Sequence, residues 1–438
     1  MTGILATENE SLLHCMLPSL WIYHELLTEP GVAVGSSDRL FSLRTHMISD
    51  TAAVDGNPDD TIDLSPYKGD KVLQLNYKGL KNLPTVLTET EDFTHITNLY
   101  LKRNCLTTLP QGISLLQNLV VLYLHSNKLA ALPNTIGDLS NLECLDVGAN
   151  CLTCLPASIG RLAKLTSLKL AYNMVTHLPK SIGNLHQLVN LEAMNNRLRS
   201  LPLELFDCMN LEMLSVDSNQ LHAIPRQICK LSRLKEISAT GNNIVMLPQG
   251  MGASENLKSI FVDCNCYLSV LPIDLLKRHI GFYRCGSLPL SKLSDDIQSN
   301  ICYVTVKHSE TSNKSLPLPW EIRLVGNLTD ACVPTLLELA MRCTHRVLTQ
   351  TADVHYLEEL PQMLVPLLST PTAKCYKCQC SVFTMAFPMV FQSQLQGNSV
   401  YLLGLCCSVK CLRQCMFIIN LPLVYPTLEN LCLAVAII

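Results

Sequence analysis

Residues 119–133 read LVVLYLHSNKLAALP, and the same frame of leucines, one asparagine and a Leu-Pro pair recurs through much of the chain. The fixed points of this copy are Leu119, Leu122, Leu124, Asn127, Leu129, Leu132 and Pro133. Eight asparagines mark the frame at intervals of 23 residues: Asn104, Asn127, Asn150, Asn173, Asn196, Asn219, Asn242 and Asn265. A fixed period of this length indicates a solenoid of stacked units that share one continuous apolar core.

The repeated asparagines are predicted to be structural. The turn after each strand would leave backbone donors and acceptors inside the core, where they need partners. An asparagine amide offers one acceptor and two donors, so it can satisfy such groups between neighbouring turns. An aspartate at the same place would bury a charge.

The frame resembles the leucine-rich repeat, and the return segment from Leu132 to Leu139 resembles the Ras-group class of intracellular repeats. The expected fold class is therefore α/β, a leucine-rich repeat solenoid with a curved parallel β-sheet, followed by a small helical and Cys-rich domain. A weaker copy from Leu73 to Pro84 has Lys78 in place of asparagine, as an atypical capping repeat would. The predicted array covers residues 66–280 in about nine repeats.

The remaining segments have distinct compositions. We expect residues 1–65 to be disordered or a linker, 281–330 a linker, 331–370 helical, 371–415 a cysteine module and 416–438 an apolar tail. The tail has one charge, Glu429, but Asn420, Pro422 and Pro426 interrupt it, so no membrane span is expected. The net charge of −3 argues against nucleic acid as a partner.

The chain has 21 cysteines and 48 % hydrophobic residues. Single cysteines such as Cys105 and Cys151 are scattered through the repeats without a pairing pattern, and no basic segment precedes the apolar run from Leu12 to Tyr23. These features favour a reducing cytoplasm over a disulfide-bonded secreted protein. We find no phosphate-binding, metalloprotease or nucleophile-elbow motif, so the chain is not expected to be an enzyme.

Side chains between the strand leucines are expected to form the concave face of the solenoid. Tyrosine and arginine are frequent interface anchors. The predicted partner-binding residues are Tyr100, Arg103, Tyr123, Lys169, Tyr172 and Glu192. The alternative is that this face is ordinary solvated surface, and the sequence names no partner for it.

Seven cysteines fall between Cys375 and Cys415. Two short-spaced pairs, Cys375 with Cys378 and Cys407 with Cys411, are separated by 28 residues, which is the spacing that a closed tetrahedral zinc site needs. The second pair resembles one half of a treble-clef zinc module. We therefore predict a structural zinc, with buried free thiols as the alternative and Cys406 as a substitute for Cys407.

Residues 334–368 contain two apolar segments. The first predicts an amphipathic helix and, with the second, resembles the elongin-binding and cullin boxes of SOCS-box proteins, although Ala340 stands where cysteine is common. This resemblance implies that Leu336, Leu339 and Ala340 dock elongin. Alternatively, the two helices cap the open end of the solenoid.

Residues 65–415 closely resemble the leucine-rich repeat-containing protein 28 family, in strings such as NLYLKRNCLTTLP, PTLLELAMRCTH and the paired cysteine motifs. The resemblance implies a cytoplasmic, non-enzymatic scaffold or adaptor in intracellular signalling. The sharper alternative is a substrate receptor of an elongin–cullin ubiquitin ligase.

Overall fold

A parallel sheet with one three-residue strand from each repeat forms the larger part of the fold. The computed structural model describes residues 62–293, 301, 303–307, 313–319, 321–322, 324–325, 335–351, 365–395 and 398–416. The expectations for the tail and for nearly all of residues 1–65 lie outside these ranges. Within the described residues, no helix is both long and apolar enough to cross a membrane.

The first eleven strands are β1 (Val72–Gln74), β2 (Asn98–Tyr100), β3 (Val121–Tyr123), β4 (Cys144–Asp146), β5 (Ser167–Lys169), β6 (Asn190–Glu192), β7 (Met213–Ser215), β8 (Glu236–Ser238), β9 (Ser259–Phe261), β10 (Val270–Pro272) and β11 (His279–Gly281). All except β10 form one parallel sheet in chain order. The register pairs equivalent residues of adjacent repeats, such as Leu99 with Leu122, so the repeat leucines stack in fully buried rows.

Short helices complete the repeats on the return side. The 3-10 helices are Ser65–Tyr67, Gln111–Leu115, Asn134–Asp138, Ala157–Arg161, Lys180–Asn184, Leu203–Asp207, Arg226–Lys230, Met251–Ala253, Ile273–Lys277 and Leu290–Lys292, and the α-helix α1 is Val86–Glu89. Proline fixes the extended backbone before most of them, as at Pro133 (φ −68°). The units pack so closely here that a Cβ at Gly137 would collide with the carbonyl oxygen of Ser158.

The asparagine ladder has the predicted role. Asn173 is buried; its Oδ1 accepts from the Leu152 amide at 3.0 Å, and its Nδ2 donates to the carbonyl oxygens of Val147 and Leu170, both at 3.0 Å. All eight asparagines are at most 9 % exposed and bridge neighbouring turns in the same way. The register read from the sequence is therefore correct.

The sheet has one strand more than the nine predicted repeats. Strand β11 pairs with β9, and the register of His279 with Ser259 shows an interval of 20 residues instead of 23. Cys285 takes the place of asparagine, and its thiol donates to the carbonyl oxygen of Val262 at 3.0 Å. Both the shortened interval and the cysteine remove this unit from the frame that revealed the others.

The C-terminal region contains β12 (Tyr303–Lys307), β13 (Asn313–Pro317), β14 (Leu324–Val325), α2 (Leu336–Thr351), α3 (Val365–Ser369), β15 (Ala373–Lys374), β16 (Ser381–Val382), β17 (Met385–Leu395), β18 (Asn398–Cys406) and α4 (Val409–Met416). Three of these strands lie in residues 281–330, for which a linker was expected. Their short, mixed polar sequences carry no periodic signal, and β14 pairs with β17, about 60 residues further along the chain.

The C-terminal region is joined to the last repeat through backbone pairing. Strand β10 runs parallel to β18, with Val270 opposite Tyr401, in a sheet of order β10-β18-β17-β14. The buried Arg226 side chain also crosses this junction, donating from Nη1 to Thr372 Oγ1 at 2.8 Å and pairing with Glu321 at 3.5 Å. A sheet extension therefore covers this end of the repeat array, where the sequence had offered two capping helices.

Candidate functional site

The central row of the predicted concave face crosses the repeat sheet in register. Its members include Tyr100, Tyr123, Asp146, Lys169 and Glu192, which lie opposite one another on β2 to β6. The middle residue of each of these strands is a buried leucine, so its neighbours point to the opposite face. Four of the six predicted contact residues are thus brought into one row.

The N-terminal part of this row is aromatic and cationic. The rings of Tyr100 and Tyr123 meet edge to face at 5.2 Å, and Lys102 Nζ lies 4.3 Å from the Tyr123 ring centre. Lys102 also pairs with the buried Asp146 at 3.9 Å. Burial, followed by the Cys144 thiol that donates to the tyrosine oxygen, raises the pKa of Tyr123 to about 12. These contacts hold the two tyrosines in fixed positions.

The next two strands place opposite charges side by side. Lys169 Nζ donates to Glu192 Oε1 at 2.7 Å. Burial disfavours the charged lysine, but the hydrogen bond and the attraction of Glu192 outweigh it and raise the pKa of Lys169. The pair neutralises itself, so a partner at this place would meet a polar surface with little net charge.

Arg103 and Tyr172 lie beside this row and not in it. Each precedes a ladder asparagine and has a left-handed backbone, with φ of 53° and 58°. That conformation turns the chain out of the sheet at the end of the strand, which the spacing of leucines alone did not reveal. Arg103 lies 5.5 Å from the ring centre of Tyr77, and Tyr172 is 47 % exposed, so both remain accessible at the border.

The two cysteine pairs meet in space. The sulfurs of Cys375, Cys378, Cys407 and Cys411 all lie within 4.8 Å of one another. Two of the separations are 3.4 Å (Cys378 to Cys407) and 3.7 Å (Cys407 to Cys411). A tetrahedral zinc with bonds of about 2.3 Å requires sulfurs about 3.8 Å apart. Four converging thiols fit the donor set that zinc prefers, with the widest separation somewhat longer than the expected 4 Å.

Local structure explains why each pair is close. Cys375 and Cys378 lie in the turn between β15 and β16, closed by the Cys375 amide on the Cys380 oxygen at 2.8 Å. The second pair flanks the start of α4, where Ser408 Oγ accepts from the Cys411 amide at 3.3 Å as a helix N-cap. The helix dipole there favours thiolates.

The nearby thiols fall outside this group of four. Cys406 is fully buried and contacts Met389 Sδ at 3.8 Å, so Cys407, and not the alternative Cys406, completes the set. Contacts from the Cys406 and Cys407 thiols lower the pKa of Cys375.

Helix α2 exposes the predicted docking residues. Leu336 is 84 % exposed and Leu339 is 40 % exposed, and Ala340 is also exposed. Their i, i+3 and i+4 spacing places them on one side of the helix. This side is accessible, as a docking surface must be.

The sequence reasoning missed Glu338, on the opposite side of α2. The Thr335 hydroxyl accepts from the Glu338 amide at 3.2 Å, so Thr335 and Glu338 occupy the two ends of a capping-box pattern. The Glu338 carboxylate is nevertheless fully buried and binds the backbone around Thr384. A glutamate among leucines was the available signal, but its distant partner could not be read from the chain.

Comparison with known proteins supports the repeat assignment. Residues 51–174 match a family described as a leucine-rich repeat region, a stretch that includes β1 to β5. A solved leucine-rich repeat protein of Leptospira interrogans is 30 % identical over 47 % of this chain and 64 % of its own, with a TM-score of 0.34. An internalin of Listeria monocytogenes is 23 % identical over 50 % of this chain and 62 % of its own, with a TM-score of 0.42. This chain therefore spans less than two thirds of either structure.

Proposed function

We propose that this chain is a non-enzymatic protein-interaction scaffold that binds a partner protein on the concave repeat face. The observation that carries the proposal is the fixed pair Tyr100 and Tyr123 beside Lys102. Preformed aromatic groups provide contact area without a large loss of conformational freedom on binding, which is why tyrosine is frequent among residues that dominate interfaces. Arg103 and Tyr172 border the same surface.

Affinity purification of the double variant Tyr100→Ala, Tyr123→Ala tests this proposal. Each truncation at an interface centre should cost about 2 kcal/mol, or roughly thirtyfold in affinity. The control is Tyr303→Ala, which removes an exposed tyrosine from β12. A partner retained equally by the parent protein and the double variant would show that the concave tyrosines are not the binding surface.

The exposed leucines of α2 favour a second candidate function, substrate receptor of an elongin–cullin ubiquitin ligase through residues 334–368. Leu336 would enter an apolar pocket on elongin, with Leu339 and Ala340 beside it. Leu336→Ala should then reduce elongin capture by about one to two orders of magnitude, because burying a leucine contributes roughly 1.5–3 kcal/mol.

Leu337→Ala is the matched control for Leu336→Ala. Leu337 is 60 % exposed but points about 100° away around the helix. Equal loss of elongin from both variants would indicate a general effect on α2, and no recovery of elongin with the parent protein would leave the plain scaffold.

The cysteine tetrad is proposed to hold one structural zinc. Cys375, Cys378, Cys407 and Cys411 would bind it as thiolates in a closed tetrahedral site, leaving no position for a substrate. Elemental analysis should find about one zinc per chain, and purified reduced protein that neither contains nor takes up zinc would contradict this assignment. The need for reduced thiols supports the proposed cytoplasmic location and signalling role, which the narrower resemblance to the leucine-rich repeat-containing protein 28 family also implies.

A further inference from the structure

The carboxylate of Glu338 is fully buried and makes an unusually complete set of contacts. It accepts from the amides of Phe383 at 3.0 Å, Thr384 at 2.6 Å and Met385 at 3.2 Å, and from the Thr384 hydroxyl at 3.1 Å. Arg342, one turn later on α2, donates from Nε to the same carboxylate at 2.8 Å. A buried charge with this many donors fixes the position of its helix strongly, because removing a partner would strand the others.

The amides that bind Glu338 belong to the chain segment that carries the first cysteine pair. Cys375 and Cys378 lie in the β15–β16 turn, and β16 leads within one residue to Phe383. Thr372, just before β15, closes the same hairpin from the other side by donating to the carbonyl oxygen of Phe383 at 2.6 Å. The backbone that holds α2 is therefore a direct continuation of the turn that holds two of the four sulfurs.

Arg342 reaches the second cysteine pair. Its Nη2 donates to the carbonyl oxygen of Cys407 at 3.5 Å, and the Cys407 sulfur belongs to the tetrad. The Glu338–Arg342 pair thus contacts the backbone of both halves of the cysteine centre, although these halves are about 30 residues apart in sequence.

We propose that Glu338 and Arg342 are positioning residues of the metal centre, and that they couple the metal to the placement of helix α2. The inference rests on the zinc site proposed above. With the metal bound, the two cysteine segments are held together, and their backbone presents the amides and the carbonyl that Glu338 and Arg342 require. Without the metal, the segments separate and α2 loses its anchor. The exposed leucines of α2 are then displayed in a fixed position only by the metal-loaded protein.

Hydrogen–deuterium exchange on the full chain, kept reduced, tests the coupling. Zinc-loaded protein is compared with protein stripped by a chelator, with zinc content measured in each sample. We expect exchange in residues 336–351 to rise about tenfold or more on stripping, together with residues 373–385, because loss of the metal removes the contacts that protect both. Repeat strands β2 to β7 should exchange as before. Faster exchange in residues 373–385 with α2 unchanged would overturn the coupling and leave the zinc site intact.

Coupling is reciprocal, so disturbing α2 must also weaken metal binding. Arg342→Gln should release zinc to a competing chelator about 10–100 times more readily, the range typical of residues that support metal ligands. Arg346→Gln is the matched control, because Arg346 is an exposed arginine one turn further along the same helix. Equal zinc retention by both variants would disprove the positioning role.

The outcomes separate the two proposals. A parent protein that fails to bind added zinc, with residues 373–385 unaffected by chelator, would remove the zinc site and the coupling with it. Normal zinc binding by the parent and by Arg342→Gln would remove the coupling alone. If Glu338→Gln is too unstable to purify, the arginine pair still gives a decisive result.

Discussion

The repeat array and the C-terminal region are stabilised in different ways. In the array, each asparagine makes the same few hydrogen bonds and each leucine row crosses many units, so stability is distributed over equivalent contacts. In the C-terminal region, single groups carry the structure: one buried carboxylate at Glu338, one arginine at the junction, and four converging thiols. Damage should therefore be tolerated locally in the array and spread through the C-terminal region.

The largest expected effect is removal of a metal ligand, which would break the second half of this comparison. Cys407→Ser should eliminate tight zinc binding, whose apparent free energy in small thiolate sites is about 10–16 kcal/mol. Calorimetry should show loss of the C-terminal transition while the repeat transition remains. Cys343→Ser, which changes an exposed cysteine on α2, is the control and should leave both transitions in place.

The next effect is loss of the buried carboxylate. Glu338→Ala leaves three backbone amides and Arg342 without an acceptor inside the protein, and removing one partner of a buried pair costs about 3–5 kcal/mol. Chemical denaturation of the C-terminal region measures this loss. Glu212→Ala removes a carboxylate that pairs with the exposed Lys235 side chain, and it should cost no more than about 1 kcal/mol. Similar losses in the two variants would contradict the idea that single buried groups dominate this region.

The same contrast explains what the sequence could predict. The repeat sheet follows from a 23-residue frame, because every unit restates the same hydrogen-bonding problem and the same solution at Asn104, Asn127 and their equivalents. The tetrad could also be read, because metal ligands leave a short spacing that geometry requires. Strands β17 and β18 could not, since their pairing with each other, with β10 and with β14 is not periodic. The partner of Glu338 lies about 45 residues away, and no local pattern encodes such a contact.

A single rung of the asparagine ladder should matter less than the C-terminal anchor. Asn173→Ala leaves the Leu152 amide and the carbonyl oxygens of Val147 and Leu170 without this partner, which should cost at least about 1–3 kcal/mol. Asn141→Ala is the control, because that side chain makes one exposed hydrogen bond to Gln117. Equal thermal shifts for the two variants would show that the ladder is not the source of repeat stability.

The smallest predicted effect concerns the Lys169–Glu192 pair on the concave face. Its side chains are 38 % and 34 % exposed, so solvent screens the attraction, and a double-mutant cycle with Lys169→Met and Glu192→Gln should give about 0.2–1 kcal/mol. The pKa of Lys169 is raised in the folded protein, so its stabilising contribution is complete below the unfolded pKa of about 10.4. That contribution disappears as the pH rises through the higher folded value. The coupling measured in the cycle should therefore be present near pH 7, decline only in strongly alkaline solution, and decrease with added salt. A coupling of several kcal/mol would place an energetically dominant pair on this face, contrary to the distributed stability of the array.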